Sequence, residues 1–431
     1  MYQKQTKGLS ILLLLISPIL GLFFGVKNLT WKNRKLIILL FSCIYGSLIT
    51  YEDGADAGRY IDMVDRYNLM SFSDFIDHIF SILNLELVYG YPTDLYVHFL
   101  AYFVGSLIGF SALFYPIVGF IYGYFYAGAL EKVLKFQKKR QITIFLIFTV
   151  ALFVIHRSFE NMQTVRSWTG MWVLFNGVLG YFQTKNKKYL FLIAITPFFH
   201  FAYLILALPS IAALFANRVN VKVIVVVYLL SFFGTIGGDQ VINLSKQNEL
   251  AERKVKSYYR EDKYGNEIDV IEERIDSSES VWYAKYGKTD SVYWGGNAFS
   301  LFLIAFGFYR KRMTIAESGV FTAGILTAVL ANLGSFAYGF YSRTMACAVT
   351  FMLATVVMIA IRDGFRDKEL KNYRNVQFFK WFCVILFIPK IIYFIANFLV
   401  MTSAFNLIFP FMCWFNPDLN FSIREFLGVF I

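Results

Sequence analysis

The stretch that decides the fold runs from Ala151 to Pro209 and reads ALFVIHRSFENMQTVRSWTGMWVLFNGVLGYFQTKNKKYLFLIAITPFFHFAYLILALP. One apolar run ends in His156, Arg157, Glu160 and Arg166. A second runs to a basic turn, Lys185 to Lys188. A third is broken by Pro197 and carries His200 in its middle. An ionisable side chain at membrane depth costs roughly 2.5–3.5 kcal/mol on insertion scales unless it is paired or wetted. A chain that keeps arginine and histidine at such depth has a use for them.

Working outward, apolar runs recur from Gly8 almost to the C-terminus, and 57% of the 431 residues are hydrophobic against 16% charged. Runs of about 20 apolar residues are transmembrane candidates. The chain is expected to be an all-α polytopic integral membrane protein, one transmembrane domain over residues 1–431, with about 10–13 transmembrane or re-entrant helices. Gly8–Val26 is followed by a basic loop and not by a small-residue cleavage site, so no cleavable signal peptide is expected. Cys43, Cys347, Cys383 and Cys413 lie in or near apolar segments without ligand-like spacing; neither a disulfide framework nor a zinc site is expected.

The net charge of +12 could suggest a nucleic-acid partner, but its distribution favours asymmetry across a membrane. Short basic loops at Lys27–Lys35, Lys132–Arg140, Lys185–Lys188, Arg218–Lys222, Arg310–Arg312 and Arg362–Arg374 hold 22 of the 41 Lys and Arg. Such loops stay on the cytoplasmic side. The two longest polar stretches are acidic: Glu52–Asp94 has nine acids against two arginines, and Asp239–Gly295 has twelve acids against nine bases. Both are placed outside, as a first outer loop (52–94) and a second, partly helical one (239–295) in which Glu249–Arg260 reads as helix. No nucleic acid is needed.

The expected helices are Gly8–Val26, Leu36–Tyr51, Ile142–His156, Arg166–Phe182, Val221–Gly238, Ala298–Tyr309, Ile315–Ser335, Arg343–Ile361 and Phe378–Val400. Leu95–Leu130 must cross an odd number of times, as a bent helix or as a spanning helix plus a half-helix. Tyr189–Phe215 begins and ends beside basic loops, so it reads as a hairpin of two short helices bent near Pro197–His200. Irregular backbone at that depth requires burial in protein or a wet cavity.

With this topology the chemistry-bearing groups fall on one side. Asp53, Asp56, Arg59 and Tyr60 follow the second helix. Arg157, Glu160 and Arg166 sit at an outer turn, His200 at the hairpin bend, and Arg343 at the start of a late helix. Arginine offers a planar fork suited to phosphate and pyrophosphate oxygens. Histidine can take a hydroxyl proton near neutral pH. The bland alternatives stay open: Arg157 as a snorkelling helix-end residue, Arg166 and Arg343 as interface anchors, His200 as a core histidine. Lys390, beside Pro389, is unusual at mid-helix. No P-loop, HExxH or EF-hand spacing is present, so an ATP-driven pump is not expected, and no metal or cofactor is expected.

The arrangement resembles the EpsG-like branch of the Wzy-type polysaccharide polymerases. Asp53-Gly54-Ala55-Asp56 with Arg59-Tyr60 is similar to the family's glycine–aspartate–tyrosine element. Val165-Arg166-Ser167 is similar to its arginine helix opening, with Ser167 where the family has glutamine. Lys185–Lys188 with Phe199-His200 is similar to its basic turn and phenylalanine–histidine pair. Lys254–Tyr258 and Arg343 are similar to its later elements. The resemblance implies a GT-C-like architecture in a bacterial plasma (inner) membrane. It implies transfer of a growing glycan from undecaprenyl pyrophosphate to the next lipid-linked oligosaccharide, giving O-antigen, capsule or exopolysaccharide. On that reading Arg166 and Arg343 hold pyrophosphate. His200 is the base or orients the acceptor, with Asp56 as the alternative. Arg157, Arg59, Tyr60, Asp53 and Glu160 contribute to binding. The implied partners are the lipid-linked glycan, the bilayer, a chain-length regulator and a flippase. The competing classes are an O-antigen-ligase-like transferase, a flippase or transporter of lipid-linked glycan, and an acyltransferase of surface glycans.

Overall fold

The structure of the chain, a computed structural model, describes residues 2–50, 56–84, 93–135, 142–234, 259–261, 267–269, 285–335, 337–365, 373–410, 415–416 and 419–428. Among them, five helical stretches are long and apolar enough to cross a membrane: Ser111–Leu134, Ile144–Gln163, Ile315–Leu333, Tyr338–Arg362 and Tyr373–Met401. The chain is therefore a multi-pass membrane protein of the all-α class, with one short strand pair outside the helices among the described residues.

The first departure from expectation is at the N-terminus. Gly8–Val26 is not one span. Helix α1 (Tyr2–Ile16) stops at Ser17, whose backbone is extended, and α2 (Pro18–Asn28) starts on Pro18. Pro18 tolerates the first helical position because no donor is required of it there. The two halves fold back on each other. A Cβ at Gly21 would lie 2.4 Å from the backbone nitrogen of Leu14, whereas seven residues of straight helix would separate them by about 10 Å. The fold-back returns Lys27 towards the end that carries Lys4 and Lys7.

Helix α3 (Trp31–Gly46) then runs antiparallel to α7 (Phe114–Leu134). The two backbones touch through small residues. The Ser42 hydroxyl donates to the Gly119 carbonyl at 2.7 Å, and a Cβ at Gly46 would meet the Tyr115 carbonyl oxygen at 2.2 Å. Without a hydrophobic force between helices in lipid, such close approach supplies the packing. Between them along the chain come α4 (Asp56–Arg66), α5 (Phe72–Leu83) and α6 (Leu95–Tyr102). Helix α6 continues as a wider turn over Phe103–Ile108 and ends at Gly109, where φ is +74°. So 95–134 is a half-helix and one spanning helix, the second of the two expected forms.

Helix α8 (Ile144–His156) and the 3₁₀ turn Phe159–Gln163 lead to α9 (Ser167–Thr184). The expected hairpin follows as α10 (Lys188–Ala194), α11 (Thr196–Phe199), α12 (Tyr203–Leu206) and α13 (Leu208–Phe215). Its break is His200, in extended backbone. Each arm is about 18–20 Å long at 1.5 Å per residue, short of the ~30 Å hydrocarbon core. After α14 (Val221–Leu230), the expected helix at Ala298 begins much earlier. A wide turn at Tyr286–Asp290 runs directly into α15 (Ser291–Ala305). Gly295 and Gly296 let it pack on Phe387 and Val349. Helices α16 (Ile315–Leu333) and α17 (Tyr338–Arg362) follow; α17 starts five residues before Arg343, which therefore lies in its second turn and does not open it. Helices α18 (Tyr373–Ile385) and α19 (Ile388–Met401) replace the single expected Phe378–Val400, broken ahead of Pro389. Of the stretch expected to be helical at Glu249–Arg260, only Tyr259 and Arg260 are described. They form a strand, Tyr259–Glu261, paired antiparallel with Glu267–Asp269.

Helices α9 and α17 are buried nearly all round, as expected of central helices; the other long helices surround them. At one end the basic turns are tied together. Lys35 pairs with Glu131 at 2.9 Å. Arg310 donates to the carbonyls of Ala216 and Val219 at 2.6 and 2.7 Å. Arg362 pairs with Glu317 and donates to the Arg312 carbonyl. The ionisable groups of the opposite end make the candidate site.

Candidate functional site

The segment between α8 and α9 carries Arg157, Glu160 and Arg166 and is held from behind. Tyr122 Oη lies 2.8 and 2.9 Å from the carbonyl oxygens of Arg157 and Ser158, and accepts from Trp172 Nε1 at 2.9 Å. Phe159 packs edge-on against Phe41 and Tyr126, with ring centroids 4.9 and 5.0 Å apart. The turn is short and aromatic on one face, so its polar residues face the other way.

They face a cavity of about 370 Å³. Its cationic lining comes from four places in the chain: Arg157, Lys288 in the turn before α15, Arg343 on α17 and Lys390 on α19. Glu160 faces them, and Trp168, Tyr338 and Tyr393 add aromatic surface. The Arg157 guanidinium lies over the Trp168 ring, 3.9 Å from its centroid, and its buried Nε has no hydrogen-bond partner among the described residues. Lys390 is 2% exposed, and its ammonium is 4.8 Å from the centroid of the Tyr393 ring. Neither forms a direct ion pair with Glu160 among the described residues. Four cations around one carboxylate, with an arginine fork clamped on an indole, have the chemistry to neutralise a multivalent oxyanion.

Beside the cavity, across the Thr164–Trp168 segment that lines it, lies a second, closed cluster. Asp94 stands at the N-cap position of α6, with its side chain turned to other partners, and is 1% exposed. Its Oδ1 accepts from His200 Nδ1 at 2.9 Å and from the Phe201 amide at 2.6 Å, and its Oδ2 accepts from Arg166 Nη1. Arg166 Nε donates to Tyr60 Oη at 2.7 Å. Burial alone would push the Asp94 carboxyl up. The His200 hydrogen bond and the Arg166 charge outweigh it and hold the carboxyl well below the usual carboxylate range. Because the carboxylate accepts, neutral His200 carries its hydrogen on Nδ1, and Nε2, buried and without a partner among the described residues, carries the lone pair. Arg343 acts electrostatically on His200 from the cavity side.

The expected residues are thus split between two places. Arg157, Glu160 and Arg343 meet at the cavity, while Arg166, Tyr60 and His200 meet at Asp94. Arg166 is committed to protein partners. Arg59 is exposed, about 100° around α4 from buried Tyr60. Asp53 and Lys254–Tyr258 lie outside the described residues, and of Asp56 only its place as the first residue of α4 is described. His156 is a core histidine, 3.0 Å from the Ala346 carbonyl. His98 is buried and bonded to Tyr67 at 2.5 Å, with His78 3.3 Å away.

The sequence reading missed Asp94 and Lys288. Asp94 is the last acid before an apolar run, a position typical of a helix cap, and no local signal tells it to receive a histidine. Lys288 falls in a loop on the sequence reading because the helix is expected only from Ala298, twelve residues after the helical turn begins at Tyr286. No protein-family model, curated protein or solved structure matches the chain at a significant level.

Proposed function

We propose that this chain is a membrane glycosyltransferase of GT-C-like architecture that polymerises undecaprenyl-pyrophosphate-linked oligosaccharide repeat units at the outer face of a bacterial plasma membrane. The observation that carries this reading is the cavity at the end away from the basic turns, where Arg157, Arg343, Lys288 and Lys390 surround Glu160. A lipid pyrophosphate brings several oxyanions to one point at membrane depth, which is what this lining can neutralise. Arg157 and Arg343 grip the pyrophosphate with forks, and Lys390 adds a point charge from a third helix.

In this reading the acceptor hydroxyl attacks the donor sugar's anomeric carbon, and the pyrophosphate leaves into the cationic lining. The stabilised charge is the one that develops as the bond breaks, so the cations lower the barrier as well as bind. Arg166 organises Asp94 and Asp94 holds His200, so this closed cluster supports the Thr164–Trp168 wall of the cavity. The energy comes from the sugar–phosphate bond. A flippase that delivers the lipid-linked unit and a regulator of chain length are the partners such a step calls for.

The test is a clean deletion, complemented with wild type, Arg343→Ala or His200→Ala, with surface and lipid-linked glycans resolved on a gel. A ladder that collapses to one repeat unit and is restored only by wild type supports the polymerase. A long ladder that persists on the lipid carrier points to a ligase. Loss of all outward-facing glycan, single units included, points to a flippase and overturns the proposal.

A further inference from the structure

We infer that Glu160 takes the proton from the acceptor hydroxyl, with Lys390 set across the cavity to meet the leaving pyrophosphate; this rests on the transferase reading above. Glu160 is the carboxylate among the described residues that line the cavity. It is 6% exposed, and it receives side-chain hydrogen bonds from Ser158 and, at a long 3.4 Å, from its neighbour Asn161. An ionised carboxylate accepts about four hydrogen bonds, so these two donors leave part of its capacity for a group in the cavity it lines. A carboxylate kept only to neutralise Arg157 or Lys390 would sit in contact with one of them. Among the described residues it does not.

His200 is less suited to this task. It does not line the cavity, its Nε2 is enclosed, and its Nδ1 is fixed by Asp94. Glu160 stands on a turn clamped by Tyr122 and by the aromatic cluster around Phe159, which is the rigid support that a proton-transfer group requires. Lys390 reaches the same space from α19, just past the break at Phe387.

The step balances without a further reactant. The acceptor oxygen forms its bond to the anomeric carbon while the bond from that carbon to the phosphate oxygen breaks. The electron pair leaves with the pyrophosphate, against Arg157, Arg343 and Lys390. The hydroxyl proton passes to Glu160 and from there to water after product release.

The test uses the full-length protein in lipid nanodiscs with a synthetic undecaprenyl-pyrophosphate-linked repeat unit. Binding of that lipid and formation of polymer are measured separately for wild type, Glu160→Gln and Glu160→Asp. Expected is that Glu160→Gln binds the lipid within about threefold of wild type while polymer formation drops by about a hundredfold or more, the usual worth of a general base. Glu160→Asp, which keeps the carboxylate and folds if the glutamine variant does not, should recover part of the rate with binding unchanged. Wild-type turnover in Glu160→Gln would overturn the proton role and leave the transferase reading standing. Parallel loss of binding and turnover in both variants would reduce Glu160 to a shaping residue and also overturn it. Failure of wild type to form polymer would bring down the transferase reading and this assignment with it.

Discussion

Asp94 is the residue on which the closed cluster turns. It joins α6, α9 and the hairpin break through three donors, and its side chain is almost fully buried. Because its carboxyl is held below the ordinary range, its contribution to stability is complete above the unfolded-state value of about 3.9 and fades only as pH falls through the lower folded value. Asp94→Asn removes that contribution at every physiological pH and leaves the half-buried Arg166 guanidinium without its counter-charge. The expected cost is about 3–5 kcal/mol, read as a large drop in thermal midpoint in detergent between pH 5 and 8; an unchanged midpoint would contradict the cluster. Arg157 makes a different prediction. Lysine at 157 keeps the charge but loses the fork and the stacking on Trp168, so polymer formation should fall about ten- to a hundredfold. Equal activity in Arg157→Lys would mean that a point charge suffices.

At the level of elements, the α3–α7 contact depends on having no side chain at two places. A Cβ at Gly46 or Gly119 would sit 2.2 Å from a carbonyl oxygen of the other helix, and backbone cannot rotate aside. Gly46→Ala and Gly119→Ala should each cost about 1–3 kcal/mol and lower the yield of folded protein in size-exclusion chromatography. Gly8→Ala, with nothing within 4 Å of the added carbon, should not. The hairpin shows how far elements can be read in advance. Pro197 and the flanking basic turns placed its bend correctly. The reversal between α1 and α2 was not foreseen, because Ser17–Pro18 is also compatible with a mild kink and only the packing of Gly21 on Leu14 decides for a fold-back.

For the whole molecule, the basic turns gather at one end and the ionisable clusters at the other. Leu69, 93% exposed between the amphipathic helices α4 and α5, marks the second end, and Lys187, exposed in the α9–α10 turn, marks the first. With the native cysteines replaced, Leu69→Cys should react with a membrane-impermeant maleimide in intact cells, and Lys187→Cys only after permeabilisation. Reaction of both from one side would overturn the proposed orientation and, with it, the proposal that the cavity opens to the outer leaflet.

The sequence by itself determined that the chain is helical and multi-pass, because hydropathy is a local sum that the solvent reads directly. It also singled out Arg157, Glu160, Arg166, His200 and Arg343, because charge in an apolar run is conspicuous wherever it stands. Only the tertiary structure decided which of them meet. Asp94 and His200 are 106 positions apart, and Lys288, Arg343 and Lys390 reach the cavity from three separate elements. Pairings of that kind depend on helix rotation and depth, which are set by close packing of small residues and by breaks such as Ser17–Pro18 and His200. Those are many-body properties of the packed bundle that no local window contains.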